Sequence, residues 1–212
     1  MRVAIIGVGN VGGALARACA TLGHEVVVSA RHPENAAKLA ADVGGRAATS
    51  NLDAVQGADM VVLAVYSTSV ASVLDEIGGE LDGTIVVDPT NPMTDDYAEL
   101  FGASGSLADA IQLLAPAARV VKAFNTVFAS RIADPVVDGI PLDGFYAGDD
   151  EAAKTAVAEL LAAIGFRPLD VGGLPAARVL ELMAALHIGL NLRNGWPWRS
   201  GWKLLGPTGR GG

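Results

Sequence analysis

Cysteine, aromatic side chains and long apolar runs are all scarce in this chain of 212 residues. The single cysteine, Cys19, allows no internal disulfide, and its place on one helical face with Leu15, Ala18 and Leu22 predicts a core position rather than a nucleophile. Aromatics make up 5% of the residues, and the longest late apolar stretch, residues 179–192, is interrupted by Glu181, His187 and Asn191 and is too short to span a bilayer. Positive charge is in the minority. Against 23 acidic residues stand 15 Lys and Arg, a balance of −8 that argues against nucleic acid or an anionic membrane as partner. The three histidines, His24, His32 and His187, are far apart with no cysteines at ligand spacing, so no metal site is expected. His24 looks like turn material, and His187 like a hydrogen-bonded core residue. No Gly-x-Ser-x-Gly elbow occurs, and no catalytic residue is assigned. Arg2, the apolar run after it and Ala18-Cys19-Ala20 imitate a secretory leader, but the glycines at 7, 9, 12 and 13 and Arg17 suit a strand, a turn and a helix better. A cytoplasmic protein is expected.

What is present describes a folded domain: 51% of residues are apolar, 18% are charged, and no tract is of low complexity. Short β-branched runs near 2–6, 25–29, 59–65, 84–88 and 119–123, with a weak one at 46–48, alternate with helical stretches near 10–22, 34–43, 68–77 and 105–114. That order predicts an α/β fold, a Rossmann-type doubly wound parallel sheet whose ligands sit beyond the carboxyl ends of the strands. A strand at 143–147, a helix at 150–163, a strand at 166–170 and a helix at 175–192 follow. The acids of "GDDEAAK" read as an N-cap and a favourable first turn rather than as paired catalytic carboxylates. The last helix is apolar nearly all the way round, which places it inside the fold or across a subunit interface. The expected division is a sheet-bearing domain over 1–140 and a small, partly helical C-terminal portion over 141–212.

The first strand runs into Gly7-Val8-Gly9-Asn10-Val11-Gly12 and then into a helix. Gly7 permits the tight turn, Gly9 lets a pyrophosphate approach the backbone, Gly12 allows close helix packing, and the helix amide end faces the anion. An NAD site should then carry an acid near Ser29 to hold the adenosine ribose, and none is there. Arg31 stands there instead, 19 residues beyond Gly12. A guanidinium suits a 2′-phosphate that a carboxylate would repel, so the cofactor is expected to be NADP(H). Ser29, Ala30 and Asn35 are close enough in sequence to share that phosphate. A solvated loop charge is the alternative reading of Arg31.

Two further strand ends carry polar residues. "VVDPTNP" places Asp88, Thr90 and Asn91 at one, and "VVKAFNTVF" places Lys122, Asn125 and Thr126 at the other. Asn125 and Thr126 are candidates for the nicotinamide carboxamide or its ribose, whereas Lys122 reads as a structural charge. After Glu181 no acid occurs, while Arg193, Arg199, Lys203 and Arg210 do, and Trp196, Trp198 and Trp202 fall among them. This tail suits either a planar anionic acceptor or a strap packed on the protein's own groove.

The segments "MRVAIIGVGNVGGALA", "LGHEVVVSAR", "VVDPTNP", "VVKAFNT", "GDDEAAK" and "GFRPLDVGGLPAARVLE", in this order, resemble the NADPH-dependent reductases of the 8-hydroxy-5-deazaflavin coenzyme F-420 (F420). The resemblance covers most of residues 1–182. It implies a homodimer in which hydride passes directly between NADP(H) and coenzyme F-420 in a narrow cleft. It also implies pyrophosphate contacts at Val8, Gly9, Asn10 and Val11, 2′-phosphate contacts at Ala30 and Arg31, and backbone near Val65 and Ala123 lining the cofactor. Ala30 departs from the Ser common before that arginine. A reductase of a free flavin or other small acceptor and a non-catalytic NADP(H)-sensing module are the alternatives.

Overall fold

In the computed structural model, residues 1–94 and 105–206 are described. The chain begins β1 (Arg2–Ile6), α1 (Asn10–Thr21), β2 (Glu25–Ser29), α2 (Pro33–Val43), β3 (Arg46–Ala47), α3 (Asn51–Val55) and β4 (Met60–Leu63). It continues α4 (Val70–Ile77), β5 (Ile85–Asp88), α5 (Leu107–Leu114), β6 (Arg119–Ala123) and α6 (Ala129–Ile132). A short hairpin, β7 (Val136–Val137) with β8 (Ile140–Pro141), leads to β9 (Asp143–Gly148), α7 (Glu151–Ile164), β10 (Arg167–Asp170) and α8 (Ala177–Asn194).

Eight strands form one sheet in the order β10-β9-β6-β5-β4-β1-β2-β3. The six from β3 to β6 are parallel, and the order reverses between β1 and β4, the place where such sheets open a crevice. Alternate residues of β1 face opposite layers: Val3 and Ile5 pack with Leu15, Val28 and Leu161, while Ala4 and Ile6 pack with Val61, Leu74 and Ile111. Burial on both faces is why these strands read as unbroken apolar runs.

Beyond β6 the sheet is no longer parallel throughout. β9 runs antiparallel to β6, with Ala123 opposite Tyr146, and β10 lies parallel to β9. The sheet therefore continues through the boundary expected at 140, and residues 141–212 supply its last two strands as well as α7 and α8. Asp150 caps α7 by accepting from the Ala153 amide at 2.7 Å, so the acidic cluster has the capping role its position predicts.

Helix α8 is divided lengthwise. Leu180, Glu181, Ala184, His187, Ile188 and Asn191 are buried along one side, while Val179, Leu182, Leu186 and Leu190 are exposed along the other. After α8 the chain turns back and runs along β9 as a strap. The Asp143 amide donates to Trp202 O at 2.9 Å, and the buried Asp143 carboxylate takes Arg167 at 2.7 Å, Lys203 at 3.2 Å and the Leu204 amide at 2.6 Å. Burial pushes that carboxyl up, but these donors together hold it below its ordinary value. The tryptophan-rich tail is thus a strap on the protein's own surface. Arg199 faces Asp134, and Lys203 sits on Asp143. Arg210 lies outside the described residues.

Candidate functional site

The glycine turn sits at the end of β1, beside the reversal of strand order. Gly7 adopts φ +99° and donates its amide to Ser29 O at 2.8 Å, which joins the turn to the end of β2. A Cβ on Gly7 would lie 2.2 Å from Ala64 O, and one on Gly12 would lie 2.0 Å from Gly7 O. Both are glycine because backbone occupies the space of a side chain. Gly9 is different: a Cβ there meets nothing within 4 Å, and no side chain caps the amide end of α1 that it precedes. This is the open ground above a helix N-terminus that a pyrophosphate needs. Val8 and Val11 are half-buried flanks of the turn, and Asn10 is exposed on it.

At the end of β2, Ala30 is half-buried and Arg31 is exposed, with no ion pair to any described residue. Ser29 precedes them. Its side chain is buried and its hydroxyl donates to Asn51 Oδ1, whose amide group in turn donates to Glu76 at 2.8 Å. The Ser29 hydroxyl braces the end of β2 to the start of α3. Asn51 carries no signal in the sequence, because 22 residues separate it from Ser29.

Across the crevice, Val65 follows β4 and approaches the turn, its Cγ1 being 3.1 Å from the Cβ position of Gly7. At the end of β6, Ala123 is fully buried and Phe124 takes φ +64°, a left-handed conformation costly for a bulky residue. Asn125 and Thr126 follow, both buried. The ends of β5 and β6 are cross-braced: Asn91 donates to Asn125 O at 2.9 Å, and Asn125 donates to Asn91 Oδ1 at 3.0 Å. Asn125 Oδ1 and Thr126 Oγ1 nevertheless have no hydrogen-bond partner among the described residues. Each such buried atom costs about 1–3 kcal/mol unless a ligand satisfies it.

The ionisable groups beneath these loops are committed elsewhere. Lys122 donates to Asp88 at 2.8 Å, to Thr90 O at 2.6 Å and to Glu181 at 3.0 Å, and all three charged side chains are fully buried. Asp88 also accepts from the amide and hydroxyl of Thr90, and Glu181 from the Leu107 amide and from Arg178. Lys122 is structural, as its place within a strand predicts, and Asp88 and Thr90 shape the loop that carries Asn91.

His187 closes the far side. It stacks on Phe128 with centroids 4.2 Å apart, pairs with Ser200 Oγ at 2.8 Å and lies against the Thr126 main chain. Burial pushes its pKa below the ordinary value, with the Thr126 contact acting the other way. Ser200 also accepts from Asn191 Nδ2 at 3.0 Å. The reading of His187 as a core histidine holds, but its link to the β6 loop is absent from the sequence pattern. With Lys122 paired and His187 held, the strand ends offer orientation and dryness rather than a proton relay. Among the described residues no group of His, Cys, Asp and Glu is placed to hold a metal ion, and no helix is long and apolar enough to cross a membrane.

The reversed strand order, the open glycine turn and the exposed arginine beyond β2 define a Rossmann-type dinucleotide-binding protein. Residues 2–92 match the family described as NADP oxidoreductase, coenzyme F420-dependent. The F420-dependent NADP reductase of Methanothermobacter thermautotrophicus is 32% identical to this chain over 211 residues, covering 92% of it and 90% of the relative. The crystal structure of a protein from Arthrobacter sp. FB24, taken to be an F420-dependent NADP reductase, superposes with a TM-score of 0.88 at 30% identity, covering 96% of this chain and 99% of that one. Metalloreductase STEAP3 of Rattus norvegicus is 33% identical over 85% of this chain, which spans 36% of that protein. The chain belongs to the F420-dependent NADP reductase family and is an NADP-dependent oxidoreductase.

Proposed function

We propose that this protein exchanges hydride between NADP(H) and the deazaflavin coenzyme F-420, one small molecule reducing the other in the crevice at the strand ends. The observation that carries the reading is the exposed Arg31, with no ion pair among the described residues, beside the open Gly7–Gly12 turn. NADPH supplies two electrons and a proton as hydride, and the oxidised deazaflavin takes them up with one further proton from water. The protein's task is placement and exclusion of water. Val8, Gly9, Asn10 and Val11 hold the pyrophosphate, Ala30 and Arg31 the 2′-phosphate, and the backbone at Val65 and Ala123 lines the ring. Asn125 and Thr126 meet the nicotinamide carboxamide: the orphaned Asn125 Oδ1 is an acceptor, which an amide N–H satisfies.

Two copies of the chain pair through α8. The exposed Val179, Leu182, Leu186 and Leu190 form one apolar strip along that helix, which favours burial against a second copy. The division into an NADP-binding part over 1–140 and an acceptor-side part over 141–212 belongs to the same reading, as does a cytoplasmic location.

Single-turnover oxidation of NADPH by the purified protein tests this, with oxidised coenzyme F-420 in one cuvette and FMN in another. Rapid oxidation with the deazaflavin alone is expected. Transfer to FMN alone replaces this reading with that of a flavin reductase, and tight NADPH binding without transfer to either acceptor replaces it with that of a sensor.

A further inference from the structure

The β6 loop is an improbable conformation that its own sequence does not hold. Phe124 is left-handed, and Asn125 Oδ1 and Thr126 Oγ1 are buried without partners among the described residues. Such a loop persists only if its surroundings fix it. The surroundings here are few and specific. His187 of α8 stacks on Phe128, pairs with Ser200 and lies against the Thr126 main chain, while Ser200 is held by Asn191, one turn further along α8. Trp198 meets Phe128 edge-on at 5.2 Å, and Ser130 donates to Trp198 O at 2.5 Å. The loop is gripped between α8 and the strap.

We infer that His187, clamped by Ser200, is a positioning residue for the hydride transfer proposed above: it pre-organises the Asn125–Thr126 loop so that both unpartnered groups face the reacting rings before they bind. The inference rests on that functional reading for its consequence and on the contacts just named for its geometry. It also makes the strap part of the site's machinery, although no strap residue needs to touch the cofactor.

The clamp has a defined protonation state. Thr126 O can only accept, so when the ring turns an N–H toward it the neutral ring's other nitrogen accepts from the Ser200 hydroxyl. Protonation turns that nitrogen into a donor. Ser200 must then rotate its proton toward Asn191 Oδ1, 3.3 Å away, while Asn191 Nδ2 already donates to Ser200. The other charged groups on the packed elements offer no relief: Arg131 of α6 and Arg199 of the strap face Asp134, Lys203 is on Asp143, and Arg193 is exposed at the end of α8. Acid therefore costs the clamp the burial of a charge with no carboxylate facing it among the described residues.

The test compares wild type with Ser200→Ala, Ser200→Thr and His187→Gln in two measurements. One is the single-turnover hydride-transfer rate against pH, with NADPH affinity measured alongside. The other is amide exchange of residues 124–128 in the free protein. Ser200→Ala should slow transfer by roughly tenfold or more, the scale of a misplaced reacting group, with NADPH affinity retained and faster exchange in the loop. Ser200→Thr, which keeps the hydroxyl, should restore both. The acid-side loss of rate in wild type should vanish in His187→Gln. Unchanged transfer and exchange in Ser200→Ala, or an acid limb that survives in His187→Gln, would overturn the inference. Absence of deazaflavin reduction by wild type counts against the functional reading instead, and the loop's exchange then decides the clamp by itself. Should His187→Gln not fold, the two Ser200 variants carry the decision.

Discussion

Gly12 lies so close beneath Gly7 that a Cβ on the helix residue would stand 2.0 Å from the carbonyl oxygen of the turn residue. The contact is backbone against backbone, so no side chain can swing aside to relieve it. Gly12→Ala should push α1 away from β1, costing about 1–3 kcal/mol of stability, and should weaken NADPH because the helix amide end moves with it. Urea unfolding and NADPH titration check this. An alanine variant as stable as wild type would mean that the turn yields more easily than its geometry implies.

Arg31 should decide between the two nicotinamide dinucleotides. Arg31→Glu replaces a charge-assisted contact with repulsion of a 2′-phosphate, and NADPH affinity should fall by roughly tenfold to a hundredfold while NADH changes little. Because Arg31 is exposed, the difference should shrink as salt is added. Equal losses for both dinucleotides would show that Arg31 does not read the phosphate.

Lys122→Met should be severely destabilising, by about 3–5 kcal/mol, because it leaves Asp88 and Glu181 as buried carboxylates without their shared cation. Denaturant midpoints measure it. A small effect would imply that water reaches the cluster.

These three positions differ in how legible they were. The glycine turn and Arg31 are local: spacing along one strand, turn and helix expresses them, and so do the strands from β1 to β6. The antiparallel entry of β9 was hidden, because the connection from β6 through a short helix and a hairpin carries no mark of direction. The Ser29–Asn51 brace joins the end of β2 to the start of α3 across 22 residues, and no local pattern expresses it. The Lys122–Glu181 contact joins residues 59 apart, and the His187–Ser200 contact joins a helix to a strap that turns back on it. Such pairings are products of the fold.

His187 also gives stability a pH dependence with a definite sign. Its folded pKa is lowered from an ordinary 6.5, so below about that value the unfolded chain binds a proton that the folded one refuses. Stability should be full above pH 6.5, decline as pH falls through it, and level off once the folded-state ring also protonates. His187→Gln should flatten this window. Thermal melts between pH 5 and 8, about the range in which histidines titrate, compare the two proteins, and parallel curves would refute the assignment.

The lengthwise division of α8 has a consequence for how this protein tolerates insertion. Glu181, which locks the helix to the sheet, and His187 and Asn191, which grip the loop and the strap, share one side of a single rod. Each added residue turns everything downstream by about 100°. One codon inserted between Glu181 and His187 would put the clamp out of phase with the lock, swinging His187 and Asn191 away from the protein interior. The helix therefore acts as a ruler whose graduations cannot be moved singly, and length variation in this half of the protein should be confined to the loops at either end of it.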